Sequence, residues 1–220
     1  NGANSMAYGA TANANGPNAR AFGTAAKANG YNVSASGTNA RAIGFNAVAQ
    51  GTDAMAEGRN VVAIGTGAKA LGYNTNVLAI GTGAIGNGSS VIAIGEIAKA
   101  NAAYSMTVGF NSRASASNAI AIGSSSNAVA ERSTAIGNGA YAHHYAATAI
   151  GDNAVTKKEH QIALGTRKSP YWLPGLANPD NGFVNDKYQD LGDKRFVTTD
   201  IQGNLGTTNF SVDELLDTVS

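Results

Sequence analysis

A parallel β-solenoid is the fold class this sequence predicts. Three observations lead there: a fixed period, a fixed glycine and a regular alternation of side-chain size. The period is fourteen residues; it runs through eleven turns from Ala3 to Lys158, and a twelfth begins at Glu159 and breaks off after Gly165. One turn, Tyr73 to Gly88, has sixteen residues. So short a period means stacked coils, each resting on its neighbours. With positions numbered from Ala3, the seventh is glycine in every turn: Gly9, Gly23, Gly37, Gly51, Gly65, Gly81, Gly95, Gly109, Gly123, Gly137, Gly151 and Gly165. The fourteenth is Gly16, Gly30, Gly44, Gly58, Gly72 and Gly88, then Ala102, Ala116, Ala130, His144 and Lys158. Glycines seven apart mark places where the chain must turn. The roughly five residues between them suit strands and are too few for helices. Each turn is therefore read as two strands and two corners.

Parity along each strand tells inside from outside. Position five is Ala in eleven turns, with Thr107 the exception, and positions ten and twelve are nearly all Ala or Ser. These three columns are expected to face one another in a flattened lumen with no room for a ligand. Positions eleven and thirteen are mostly polar, with Asn13 and Asn15, Lys27 and Asn29, Met55 and Glu57, Lys99 and Asn101, and Arg113 and Ser115, a solvated wall. Positions four and six carry Val62, Ile64, Leu78, Ile80, Ile92, Ile94, Met106, Val108, Ile120 and Ile122, and the column continues through Ile136, Ile150, Ile162 and Leu164. Stacked over many turns, these side chains predict an outward apolar ridge larger than a soluble monomer tolerates. At about 25 cal/mol per Å², covering it with sister chains would dominate the stability of the assembly.

The register S-x-A-I-G-x-x-A-x-A-x-G, approached most closely at Val61–Gly72 and Ser133–Ala142 and repeated in phase, resembles the YadA-like head of trimeric autotransporter adhesins over about Ala3 to Thr166. The resemblance implies a left-handed β-roll, three copies around a threefold axis, and a neck and coiled-coil stalk below the head. It also implies attachment to host extracellular matrix proteins of the collagen, fibronectin or laminin class, or to other surfaces.

Taken in order, the first turns are the least regular. Their positions four and six are Met6 and Tyr8, Arg20 and Phe22, Ser34 and Ser36, Val48 and Gln50. Either polar layers are tolerated in the interface, or the distal tip splays and binds something. The two extra residues among Asn74 to Asn76 fall at a corner and predict a bulging loop. The last turns collect His143, His144, Lys157, Lys158, His160, Arg167 and Lys168. Adjacent histidines in a strand would point to opposite faces, so no chelate is expected. After Gly165 the period ends. The run from Pro170 to Gly182 reads as loop, and Tyr171 and Trp172 are expected to anchor intersubunit packing. Ser211 and Glu214 form a capping box, and Val212, Leu215 and Val219 open a heptad. The expected domains are a head over 1–168, a neck over 169–210 and the start of a stalk over 211–220.

Composition narrows the function classes. A net charge of +1 gives no strong pull toward nucleic acid or an anionic membrane. The chain has no cysteine, signal peptide or long apolar run, and it starts inside a repeat. It reads as an excised fragment, with secretion signal and outer-membrane anchor expected elsewhere and no membrane contact of its own. The match of Gly81–Gly86 to a dinucleotide fingerprint lacks the following helix it needs. Acidic residues are scattered and no pair recurs in phase. The sequence therefore predicts neither an enzyme nor a cofactor or metal protein. The favoured class is an adhesin head at the bacterial cell surface. Its rivals are a spacer or autoagglutination module, and a monomeric ice- or sugar-binding solenoid, which would need a flat array such as stacked Thr.

Overall fold

The computed structural model describes residues 2–72 and 75–169, together with the backbone of two strands at 195–199 and 205–211. Residues 2–169 form a parallel β-solenoid in which each turn contributes one strand to each of two sheets. The first sheet has twelve strands, from Met6–Tyr8 to Ile162–Leu164, and the second has ten, from Asn13–Asn15 to Tyr141–Ala142. Every pairing within these sheets is parallel and steps by one turn, as in Ile92 beside Met106 and Lys99 beside Arg113. No described residue lies in a helix.

The strands are two to five residues long, shorter than the sequence suggests, because the corners take more of each turn. Each position-seven corner from Gly9 to Gly151 combines a glycine with a residue in the left-handed region two positions on. Gly51 has φ +130 and Asp53 φ +56. The φ alone favours glycine, and stacking adds a second reason: a Cβ built on Gly51 would lie 2.6–2.7 Å from the backbone oxygen and carbon of Gly65 above it. Gly165 departs from its column, with φ +63 instead of the +116 to +140 of the other eleven. Across both corners the left-handed region is filled most often by asparagine, whose short amide tolerates it best after glycine.

Asparagine also links the turns. Asn18 donates to Asn32 at 2.9 Å, Asn46 to Asn60 at 3.1 Å, and Asn60 to Asn76 at 3.2 Å. The last bond spans the sixteen-residue turn. The strand registers are unbroken on both sides of it, with Gly72 beside Gly58 and Val77 beside Val61. The two extra residues are thus absorbed at one corner; Tyr73 and Asn74 lie outside the described residues.

The lumen has four columns where three were expected. Positions five, ten and twelve face inward, and so does position three, with Val33, Val61, Val77 and Val91 among the largest buried side chains. Position three shares the parity of position five, and Val61, Val77 and Val91 open strands whose residues alternate between buried and more exposed. The fourth column was missed because the strand was read as beginning one residue later. Its valines need compensating space: a Cβ on Gly86 would sit 2.7 Å from Val77 Cγ1. From turn eight the pattern changes to hydroxyls. Ser105 and Ser133 donate to the carbonyls of Ala102 and Ala130 at 2.6 Å, and Ser112 and Ser126 donate to Gly109 and Gly123 at 2.9 Å. Thr107, the exception in the alanine column, is hydrogen-bonded to Ser112. Buried hydroxyls so paired are tolerated. They divide the apolar core into one cluster ending at Ala100 and another beginning at Ala114.

Residues 170–220 form a separate compact unit. Its described part is an antiparallel pair, Arg195–Thr199 with Leu205–Ser211, with a register shift between Arg195 and Val197. The sequence reading did not foresee this pair. Ser211 ends its second strand, while Glu214 and the heptad residues, like Tyr171 and Trp172, lie outside the described residues.

Candidate functional surfaces

The first sheet's outer face carries the apolar ridge. Val62, Leu78, Ile92, Met106, Ile120, Thr134, Thr148 and Ile162 stand in one registered column. Ile64, Ile80, Ile94, Val108, Ile122, Ile136, Ile150 and Leu164 stand in the other. The alternate residues Ala63, Ala93 and Ala121 are fully buried in the lumen, so the large ones point out, covered only by their neighbours above and below. Ile92, Ile136, Ile150, Ile162 and Leu164 are the most open of the set. The ridge continues upward as Val48, Gln50, Ser34, Ser36, Arg20, Phe22, Met6 and Tyr8.

The second sheet's outer face is less uniformly polar than its asparagines and lysines suggested. Ile43, Leu71 and Ile85 join Met55 there, all half-buried. Arg41 forms an ion pair with Glu57 at 3.0 Å, and Arg113 donates from Nε to Ser115 at 2.7 Å. The edge between the sheets holds the asparagine ladder and, beside it, a registered row of rings and a cation. Tyr31 stacks on Phe45 with centroids 5.2 Å apart, and the Arg59 guanidinium lies 5.4 Å from the Phe45 centroid. Two open surface clefts lie among the described residues, one lined by Asn4, Asn18, Arg20, Asn32, Val33 and Ser34 and another by Asp152, Asn153 and Thr166 through Ser169.

The histidines correct one expectation. His143 and His144 do not diverge to opposite faces; their rings lie 4.1 Å apart. The strand in that turn covers only Tyr141–Ala142, so alternation has ended before the pair is reached. His143 also stacks on Tyr141 at 4.7 Å, and Thr156 Oγ1 lies 3.3 Å from His144 Nδ1. Burial, and then the neighbouring His144 charge, push the His143 pKa down from its ordinary value. Its Nδ1 is buried with no hydrogen-bond partner. His160 sits apart, edge-on to Tyr145 at 5.5 Å, and among the described residues no group of three or more metal-ligating side chains forms.

The sequence reading missed the asparagine ladder, although its signal was present: asparagine at the second position of five successive turns, Asn4 through Asn60. It missed the ring row as well, which the first-position run Pro17, Tyr31, Phe45, Arg59 announces.

No curated protein matches the chain. Among solved structures, it is similar to the collagen-binding domain of the Yersinia adhesin YadA, with 22% identity over 94% of this chain and 86% of that one, and a TM-score of 0.40. The YadA head domain repeat matches residues 21–40, 42–68, 92–112 and 114–140. Those segments cover two runs of the solenoid, one on each side of the sixteen-residue turn. The β-solenoid of this chain is a YadA-like head domain.

Proposed function

We propose that this adhesin head works as a homotrimer whose first-sheet ridges meet around a common axis and whose second sheets face outward. The observation that carries the reading is the registered column from Val62 to Leu164, directed away from an alanine lumen already filled. Three such columns facing one another would remove the largest apolar surface of the chain from water. The outward faces then meet host extracellular matrix proteins of the collagen, fibronectin or laminin class through extended contacts. Three identical walls, each about 55 Å tall at roughly 4.8 Å per turn, let weak contacts add by avidity. The head is carried at the cell surface by an outer-membrane anchor.

Light-scattering mass measurement and a binding screen against collagen, fibronectin and laminin test the two halves of this reading. A mass of three chains with binding to one of the three matrix proteins is the expected result. A monomer sinks the assembly. A trimer that self-associates but binds no matrix protein makes the head a spacer or agglutination module.

A further inference from the structure

The outer face of the second sheet carries a line of cations that the repeat places in register. Lys27 lies beside Arg41, Arg41 beside Met55, Met55 beside Lys69, Lys69 beside Ile85, Ile85 beside Lys99 and Lys99 beside Arg113. Five of these seven places are cationic, along a track of about 29 Å at roughly 4.8 Å per step. We propose that this track docks a linear sulfated polysaccharide.

Charge is the first argument. Between Lys27 and Arg113 the one acid on this face is Glu57, and it engages Arg41. Asp53, Glu96, Glu131, Asp152 and Glu159 all sit in corners. Among the described residues no ion pair involves Lys27, Lys69 or Lys99. The net charge of +1 understates how basic the solenoid is: residues 1–169 carry twelve Lys and Arg against six Asp and Glu, and residues 170–220 carry three against eight. An array of one sign focuses potential and attracts a polyanion.

Spacing is the second argument. The cations recur every one or two turns, about 5 to 10 Å apart. A polysaccharide sulfated on each sugar or on alternate sugars presents charge at a comparable interval. Duplex DNA, with one charge per about 1.7 Å of axis, would leave most of its phosphates unmatched on so sparse a line. What lies between the cations also fits a sugar chain. Met55 and Ile85 in the line, with Ile43 and Leu71 in the adjacent column, offer apolar surface to the C–H faces of the rings. Asn29 and Asn87 flank them with carboxamides for hydroxyls. The registered line of cations and apolar side chains suits an extended chain with repeating groups.

This proposal rests on the assembly reading, in which the first sheet is covered and the second is left free. The test uses the full chain, heparin as probe, and physiological salt. Binding that weakens steeply as salt rises is expected, because docking releases counterions. The triple variant K27E/K69E/K99E should bind at least about tenfold more weakly. The control K157E/K158E/K168E, with the same change in net charge away from the track, should lose less than about twofold. The neutral triple K27Q/K69Q/K99Q serves if charge reversal disturbs folding, judged by circular dichroism. Failure of the parent to bind heparin overturns the proposal. So does equal loss in the track and control variants, or undiminished binding of desulfated heparin, or tighter binding of a DNA duplex of the same length. Mass measured on the same samples keeps the two readings apart. A trimer that ignores heparin sinks the track alone, and a monomer that binds through it sinks the axis alone.

Discussion

Glycine acts at two levels in this molecule, and Gly51 and Gly67 separate them. Both have positive φ, but the Cβ of an alanine at 51 would strike the Gly65 backbone, whereas nothing lies within 4 Å of one at 67. Gly67→Ala should therefore cost only the left-handed penalty, about 1 kcal/mol. Gly51→Ala should cost about 3 kcal/mol from strain and clash together. Urea unfolding of the two variants measures the difference, and equal costs would refute the stacking argument. The His143 pair makes a second prediction at this scale. Its folded pKa lies below the ordinary 6.5. Above 6.5 the group is neutral in both states and contributes no penalty. As pH falls below 6.5 the unfolded chain takes the proton first, so stability declines with acid until the folded pKa is reached. Melting scans at pH 7.5 and 5 should show this loss, and His143→Gln should reduce it. These residue-scale features were unevenly legible. The glycine column is unmistakable in the sequence because only one residue type satisfies both demands. The histidine contact is not, because it depends on where a two-residue strand stops.

At the scale of the turn, the lumen sets the rules. An alanine interior admits a larger residue only where a smaller one faces it, as Val77 faces Gly86, and admits a polar one only with a partner. Thr107 and Ser112 form such a pair. Ser112→Ala alone should cost about 1–3 kcal/mol by leaving the Thr107 hydroxyl buried without its partner. Adding Thr107→Ala should recover most of that, since the lumen then repeats the alanine pattern of its neighbours. A double-mutant cycle by thermal unfolding checks the coupling, and strictly additive losses would count against it. Here the sequence revealed the two strands per turn and three of the four inward columns. The fourth obeys the same alternation, since Val61 and Val91 open their strands two residues before the alanine column, and it was missed because each strand was read as starting at position four. The apolar patch of Ile43, Leu71 and Ile85 was hidden differently. Those residues break the polar pattern of their columns in single turns, and a column read by its majority conceals exceptions.

For the whole molecule, the ridge decides what the chain can be. Ile94 and Ile122 occupy one registered column on the first sheet, with Val108 between them. Introducing Ile94→Asp with Ile122→Asp should leave the lumen intact and break the proposed axis, because a charge buried there without a partner is expensive. The parent should melt at a temperature that rises with protein concentration, and the double variant should lose that dependence along with two thirds of its mass. A variant that remains trimeric would show that the ridge is not the seam. The solenoid was legible from the repeat alone, since twelve phased glycines permit few other folds. The antiparallel pair within residues 195–211 was not, because nothing in that stretch repeats and each strand is judged on its own few residues.

The sixteen-residue turn carries a practical consequence. Ladders on either side of it keep their alignment, and the asparagine bond reaches across from Asn60 to Asn76 as though nothing had been added. Extra length at that point leaves both ladders in register, so the coil behaves like a spring onto which a tag can be clipped between windings. A foreign epitope grafted between Gly72 and Thr75 would be carried at a fixed height, and the proposed threefold assembly would present it in triplicate, as a vaccine or display scaffold requires.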